Sequence, residues 1–203
     1  MNQTHPGQRK SWSWSKNRAV FLDRDGVIIK EKGFVFEPDD VVLVDAAAEA
    51  IIRMSSMGLK IVVLTNQSGI GRGLFNEESY KKVLRRMVQL LEKSGARLDG
   101  VYHCPHAPWE GCDCRKPKPG LALKAAKDLG ISLSRSFVVG DKRSDMELAR
   151  TIGAKGILVR TGYGRKSEEE GGTFWDFVAD DVKAAAEVIL RWVEEEEDGT
   201  RDG

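Results

Sequence analysis

Four short apolar runs, each continuous and built from β-branched or bulky side chains, constrain most strongly how this chain of 203 residues can fold. They are Arg18-Ala19-Val20-Phe21-Leu22, Lys60-Ile61-Val62-Val63-Leu64, Ser136-Phe137-Val138-Val139 and Gly156-Ile157-Leu158-Val159. None alternates apolar with polar, as a strand with one wet face would, so each suits a strand buried on both faces. Between them the period changes. Tyr80, Val83, Leu84, Met87 and Leu91 recur at helical spacing, with Asn76 and Gly95 placed as caps. Asp45 to Met57, Pro119 to Leu129, Ser144 to Ile152 and Val182 to Val193 read the same way. Strand alternating with helix predicts an α/β fold: a doubly wound, mostly parallel sheet with helices on both faces. Residues 18–193 form one such domain in this reading. Residues 1–17 read as a disordered N-terminal tail and residues 194–203, opening with Glu194 to Glu197, as an acidic C-terminal tail.

In such a sheet ligands bind beyond the carboxyl ends of the strands. The polar residues that follow the apolar runs are therefore the ones to collect: Asp23-Arg24-Asp25-Gly26, Thr65-Asn66-Gln67-Ser68-Gly69 and Gly140-Asp141-Lys142. Lys116 joins them if Val101 to His103 is a further short strand. Three carboxylates, a hydroxyl and an ammonium on one rim suit phosphoryl transfer through a covalent aspartate. Asp23 is the candidate nucleophile, and Asp25 the acid and base that serves the leaving alkoxide and then the water. Oxygen donors suit magnesium, for which Asp23, Asp141 and a main-chain oxygen of Asp25 are the expected ligands. Thr65 and Lys116 are placed to stabilise the phosphoryl group. Each of these residues alone would more readily be a turn former, a helix cap or a surface charge. Their shared placement at strand ends carries the reading.

A second cluster is local. All three cysteines fall between Cys104 and Cys114, and Cys104, His106, Cys112 and Cys114 supply three thiolates and an imidazole for a closed tetrahedral zinc site. A closed site leaves no position for chemistry, so the reaction is expected beside this metal. Arg115-Lys116 follow at once. Trp109 is expected to pack over the loop, and His103 to end a strand. The 32 basic and 31 acidic residues leave a formal net charge of +1, which favours neither nucleic acid nor an anionic membrane. With no apolar run of membrane-spanning length and no signal-peptide core, a cytoplasmic monomer acting on a small molecule is expected.

Together, Asp23-Arg24-Asp25-Gly26, the run from Thr65 to Gly73, Cys112-Asp113-Cys114-Arg115-Lys116-Pro117 and Gly140-Asp141-Lys142 with Asp145 resemble the haloacid dehalogenase-like phosphatases. The resemblance runs from about Ala19 to Gly164. Within that superfamily the chain looks like the histidinol-phosphate phosphatase subfamily, on the branch that acts on heptose bisphosphates. This implies magnesium-dependent hydrolysis of a heptose 1,7-bisphosphate at C7, in the synthesis of nucleotide-activated heptose for lipopolysaccharide and other surface glycans. The same resemblance makes Asp23 the nucleophile, Asp25 the acid and base, Thr65 and Lys116 stabilisers, Asp141 a magnesium ligand, and the Cys-His cluster the zinc site. It adds Arg115, Lys142, Asn66, Gln67, Ser68 and the segment Glu31, Lys32, Gly33, Phe34 as substrate contacts, with Arg115 on the phosphate that is not cleaved.

Three alternatives stay open at this point. The short loop from His106 to Cys112 looks like histidinol-phosphate phosphatases, whereas Asn66 to Gly73 is closer to the heptose enzymes. Polynucleotide 3′-phosphatases share the first two motifs but do not fit the balanced charge. A catalytically inactive zinc-stabilised binding domain is the reading from another class. Finally, the stretches from Gly26 to Leu59 and from Leu74 to Val101 hold too little for a large cap domain. An open cleft follows, with specificity resting on charged contacts.

Overall fold

The computed structural model describes residues 17–172 and 174–199, with side chains described through residue 196. In chain order its elements are β1 (Ala19–Leu22), α1 (Ala47–Ser56), β2 (Lys60–Asn66), α2 (Ser68–Gly71), α3 (Glu77–Lys93) and β3 (Gly100–Cys104). Then follow α4 (Gly120–Leu129), β4 (Phe137–Gly140), α5 (Arg143–Thr151), β5 (Lys155–Val159), α6 (Gly164–Glu169), β6 (Phe177–Ala179) and α7 (Val182–Gly199). The expected strands and helices are present, within a few residues at their ends. The short elements α2, α6 and β6 were not foreseen, because three to six residues carry too little periodicity to be read.

The six strands form one sheet in the order β3-β2-β1-β4-β5-β6, every neighbouring pair parallel. The continuous apolar runs are explained by cover on both faces. Val20, Leu22, Ile61, Val63, Phe137 and Val139 pack with Ile51 of α1, Met87 of α3 and Ile189 of α7. Their alternates Ala19, Phe21, Val62, Leu64 and Val138 pack with Leu121 of α4 and Met146 and Leu148 of α5. Each fully buried Val, Leu or Ile contributes roughly 1.5–3 kcal/mol relative to exposure. Caps end the elements as read: the Asn76 side chain accepts from the Ser79 amide at 2.9 Å, and Gly95 takes the left-handed conformation (φ +82°) just past α3.

One boundary is corrected. Helix α7 does not stop at Val193 but runs to Gly199, so Glu194, Glu195 and Glu196 belong to it rather than to a tail. Glutamates are good helix formers, and Glu196 is tied to buried Arg18 at the start of β1. The expectations for residues 1–16 and 200–203 lie outside the described residues. Among the described residues, no helix is long and apolar enough to cross a membrane.

The chain runs outward from β1 to β3 and then returns to the other side of β1 with β4. This reversal is the topological switch point, where a crevice opens at the strand ends. Between β1 and α1 the chain folds back as a small flap, with Lys30 N–H donating to Val42 O and Val44 N–H to Ile28 O. Among the described residues, no large cap covers the crevice.

Candidate functional site

The turn after β1 is pinned at the switch point, because the Asp23 amide donates to Val139 O of β4 at 3.0 Å. Ile28 and Ile29 both donate to Arg24 O, closing a tight loop around Gly26, whose φ is +85°. A Cβ at Gly26 would collide with the Asp141 carboxylate, so glycine is needed for two strand ends to approach this closely. Asp141 follows β4, and its Oδ2 accepts from the Tyr163 amide at 2.8 Å. Asp145 lies in the first turn of α5, where it accepts from the Lys142 amide at 3.2 Å. One carboxylate oxygen from each of Asp23, Asp141 and Asp145 lies within 4.8 Å of the others, and all three residues are buried.

Two ammonium groups enter this acidic cluster. Lys116 Nζ stands 2.9 Å from Asp23 Oδ1 and 2.6 Å from Asp145 Oδ1, and donates to Leu64 O at 2.5 Å. Lys142 Nζ stands 3.7 Å from Asp23 Oδ2, 3.3 Å from Asp141 Oδ1 and 3.1 Å from Glu31 Oε2. Burial pushes the Asp23 carboxyl up, but Lys116 and Lys142 outweigh it and hold the group below its ordinary range, as an anionic nucleophile requires. Asp141 is pushed up to about 7 by burial and by the neighbouring Asp23 charge. Its Oδ1 accepts no hydrogen bond. Three carboxylates against two ammonium groups leave one net negative charge when all are ionised. Buried oxygen donors, an unbonded carboxylate oxygen and surplus negative charge fit a hard divalent cation such as magnesium.

The Asp25 carboxylate belongs to a different group. Arg24 Nη2 donates to its Oδ1 at 2.8 Å and Arg24 Nε to its Oδ2 at 3.0 Å, while Gln67 Nε2 donates to Oδ2 at 3.1 Å. Gln67 Nε2 also lies 2.7 Å from Thr65 Oγ1. Asn66 braces Lys116 from both sides of its peptide: its amide nitrogen donates to Lys116 O at 3.1 Å, and its carbonyl accepts from Lys116 N–H at 3.0 Å. The Lys116–Pro117 peptide is cis. A cavity of about 250 Å³ opens above, lined by Asp23, Asp25, Thr65, Asn66, Gln67, Ser68, Lys116 and Lys142. Glu31, Gly33, Phe34, Arg115 and Tyr163 complete its rim. Arg115 Nη1 is buried there without a partner, a donor aimed at nothing in the protein.

The soft cluster sits at the end of β3. Cys104 Sγ lies 3.6 Å from both His106 Nδ1 and Cys112 Sγ, and His106 Nδ1 lies 3.2 Å from Cys114 Sγ. Tetrahedral zinc with bonds of about 2.0–2.3 Å separates its ligand atoms by about 3.5–3.8 Å, which the two 3.6 Å separations match and the 3.2 Å one approaches from below, and all four donors lie within 4.8 Å of one another. The loop is tied at both ends, Gly71 N–H to Pro105 O at 2.8 Å and Gly120 N–H to Asp113 O at 3.1 Å. Trp109 does not roof it: the side chain is 70% exposed, with the Arg72 guanidinium 4.9 Å from its ring. Trp109 lies in the 3-10 turn Pro108–Glu110, none of whose residues is buried. His103 lies within β3, its Nε2 3.1 Å from Glu77.

Comparison with known proteins agrees with this geometry. A HAD-hydrolase-like family model matches residues 113–185. The D-glycero-β-D-manno-heptose-1,7-bisphosphate 7-phosphatase of Photorhabdus laumondii is 45% identical over 161 residues, 75% of this chain and 85% of that protein. The same enzyme of Haemophilus influenzae is 39% identical over 184 residues, 86% of this chain and 98% of that one. The chain belongs to the heptose bisphosphate phosphatases of the haloacid dehalogenase-like superfamily. Among solved structures of this family, the heptose bisphosphate phosphatase of B. bronchiseptica, complexed with magnesium and phosphate, superposes with a TM-score of 0.81. It is 35% identical and covers 86% of this chain and 98% of its own.

For a heptose bisphosphate phosphatase, the sequence brought most of the site into view but not all of it. Lys32 is not brought to the cleft. It pairs with Asp40 at 3.1 Å and lines a neighbouring cavity, the ion pair drawing its side chain away from the cleft that Glu31 and Gly33 border. Asp145 was quoted in a motif without a role, yet its carboxylate completes the buried cluster. Arg24 and Tyr163 were given no role. An arginine flanked by two site aspartates was the available signal for the first; nothing local marked the second.

Proposed function

We propose that this protein hydrolyses the C7 phosphate of D-glycero-β-D-manno-heptose 1,7-bisphosphate through an aspartyl phosphate at Asp23. The observation that carries the reading is a buried Asp23 kept anionic by Lys116 and Lys142, beside Asp141 and Asp145 at the switch point. The names of the relatives support this substrate and this anomer.

An Asp23 carboxylate oxygen attacks phosphorus, and the bond from phosphorus to the C7 oxygen breaks. Asp25 gives its proton to that leaving oxygen. It then takes a proton from the water that attacks the phosphoaspartate, releasing phosphate and restoring Asp23. Thr65 Oγ1 and Lys116 Nζ donate to the phosphoryl oxygens, where negative charge builds up. Asp23, Asp141 and the main-chain oxygen of Asp25, with Asp145 alongside, would hold magnesium, which would supply positive charge to offset repulsion between the dianionic phosphate and the nucleophile. The unpartnered Arg115 Nη1 is offered to the C1 phosphate, with Ser68, Gly33 and Phe34 on the same rim. Lys142 and Glu31 form one charged edge of the pocket, and Asn66 and Gln67 act by holding Lys116, Thr65 and Asp25. Zinc braces the loop that delivers Arg115 and Lys116. The reading includes a cytoplasmic monomer whose reaction calls on neither nucleic acid nor a membrane surface.

The test is phosphate release with magnesium from the heptose bisphosphate, histidinol phosphate and a 3′-phosphorylated oligonucleotide, with phosphorus NMR to show which phosphate leaves. Loss from C7 and a preference for the heptose by more than about tenfold in kcat/KM are expected. Loss from C1, or a preference for histidinol phosphate, would overturn the substrate.

A further inference from the structure

The acid is held by an unusual clamp. Among the described residues, the hydrogen bonds to the Asp25 carboxylate come from Arg24 and Gln67, three donors in all. Arg24 is the neighbouring residue in sequence, so its guanidinium must fold back along the chain to grip both oxygens at once. Burial fixes it there. Arg24 is 1% exposed, and its guanidinium carbon lies 5.8 Å from the centre of the buried Tyr80 ring. Tyr80 in turn lies against His103, their ring centroids 4.2 Å apart. A carboxylate offers about four lone-pair sites. Two are taken on Oδ2 and one on Oδ1, so a single open site remains, on Oδ1.

We propose that Arg24 is a positioning residue for the leaving-group step. With Gln67 it fixes the Asp25 carboxyl so that the open position of Oδ1 faces the departing sugar oxygen. The inference rests on Asp25 being the acid. In the step itself the phosphorus–oxygen bond breaks, the proton leaves Oδ1 for the sugar oxygen, and Arg24 neither gains nor loses a proton. A guanidinium is suited to this, because its planar fork sets the direction of a carboxylate where an ammonium sets only its distance.

The consequence is selective. A sugar alkoxide is a poor leaving group and needs a well-aimed proton, whereas p-nitrophenolate leaves without one. Arg24→Lys is therefore expected to lower the first-turnover release of the heptose leaving group, before any phosphoaspartate is hydrolysed, by about 10–100-fold. On p-nitrophenyl phosphate the first-turnover release of p-nitrophenolate should fall by less than about threefold, while steady-state kcat falls on both substrates because Asp25 also serves the water. Arg24→Met should widen the split. Should Arg24→Met fail to fold, Arg24→Lys keeps the buried charge and carries the test, with first-turnover release of p-nitrophenolate reporting an intact Asp23 site. Equal first-turnover losses on both substrates, or no first-turnover loss on either, would overturn the proposal in favour of a purely structural arginine. Asp25→Asn is run alongside. If it shows the split and Arg24→Lys does not, Arg24 is refuted while the acid stands; if it shows no split, the role of Asp25 falls and the proposal with it.

Discussion

The soft and the hard cluster of ligand atoms in this chain are made in opposite ways. Cys104, His106, Cys112 and Cys114 come from one loop, tied to the body at Gly71 and Gly120. Asp23 comes from one part of the chain and Asp141 and Asp145, four residues apart, from another, and they meet only because β1 and β4 are neighbours in the sheet. A local cluster of thiols depends on its metal for shape, since a zinc ion would tie its four donors to one centre that no backbone ladder supplies. The carboxylates are instead fixed by backbone bonds such as Asp23 N–H to Val139 O, and their repulsion is offset by Lys116 and Lys142. Arg115 and Lys116 join the two, leaving the zinc loop at Cys114 and ending in the acidic cluster.

Removing the nucleophile tests the hard cluster most severely. Asp23→Asn should lower turnover by at least about 10³-fold while leaving the fold intact, measured as phosphate release and thermal unfolding. Retention of wild-type rates would sink the covalent mechanism. Next in size, Lys116→Met strands Asp23 and Asp145 without their shared cation. A buried pair broken on one side costs about 3–5 kcal/mol, so Tm should drop by of the order of 10 °C along with most of the activity. A Tm within a degree or two of wild type would show that the cluster does not depend on this lysine.

The soft cluster should respond differently. Cys112→Ala, or chelation, is expected to reduce kcat/KM on the heptose bisphosphate by about 10–100-fold, by loosening Arg115 and Lys116 together. Selectivity over histidinol phosphate should fall with it. Zinc below about half an equivalent per chain, in protein purified without chelator, would count against the tetrahedral site. The smallest effect lies outside both clusters. Burial raises the Glu196 carboxyl, but Arg18 and Lys155 hold it below its ordinary value. A depressed carboxyl contributes stability above the unfolded pKa and loses it as pH falls through the folded one. Glu196→Gln should therefore lower Tm slightly at neutral pH, with a difference that shrinks as pH drops below about 4.5. A difference independent of pH would remove the ion pair as its cause.

Particular residues show how far the sequence could be read. Asp23, Thr65, Lys116 and Asp141 were legible because each follows an apolar run or precedes a helix, and the parallel sheet puts all such positions on one rim. The zinc donors were legible because their spacing is local. Asp145 was harder, since a carboxylate in a first helical turn has an ordinary reason to be there. Lys32 was placed with its neighbours because a loosely matched segment gives no register, and only the fold of the flap shows that Glu31 borders the cleft while Lys32 lines only the neighbouring cavity. The end of α7 was misplaced because a run of glutamates suits a solvated tail as well as a helix, and the anchoring of Glu196 on Arg18 is a contact across almost the whole chain.

By itself, then, the sequence determined the order of strands and helices, the local metal loop and the set of reactive groups at the strand ends. These depend on periodicity and spacing, which act over a few residues. The tertiary structure decided which carboxylates share a cation, that Asn66 and Gln67 hold their neighbours, and that Arg24 turns back to grip Asp25. Those outcomes depend on side-chain direction and burial at the junction of β1, β2 and β4, where residues far apart in the chain compete for the same few ångströms of space.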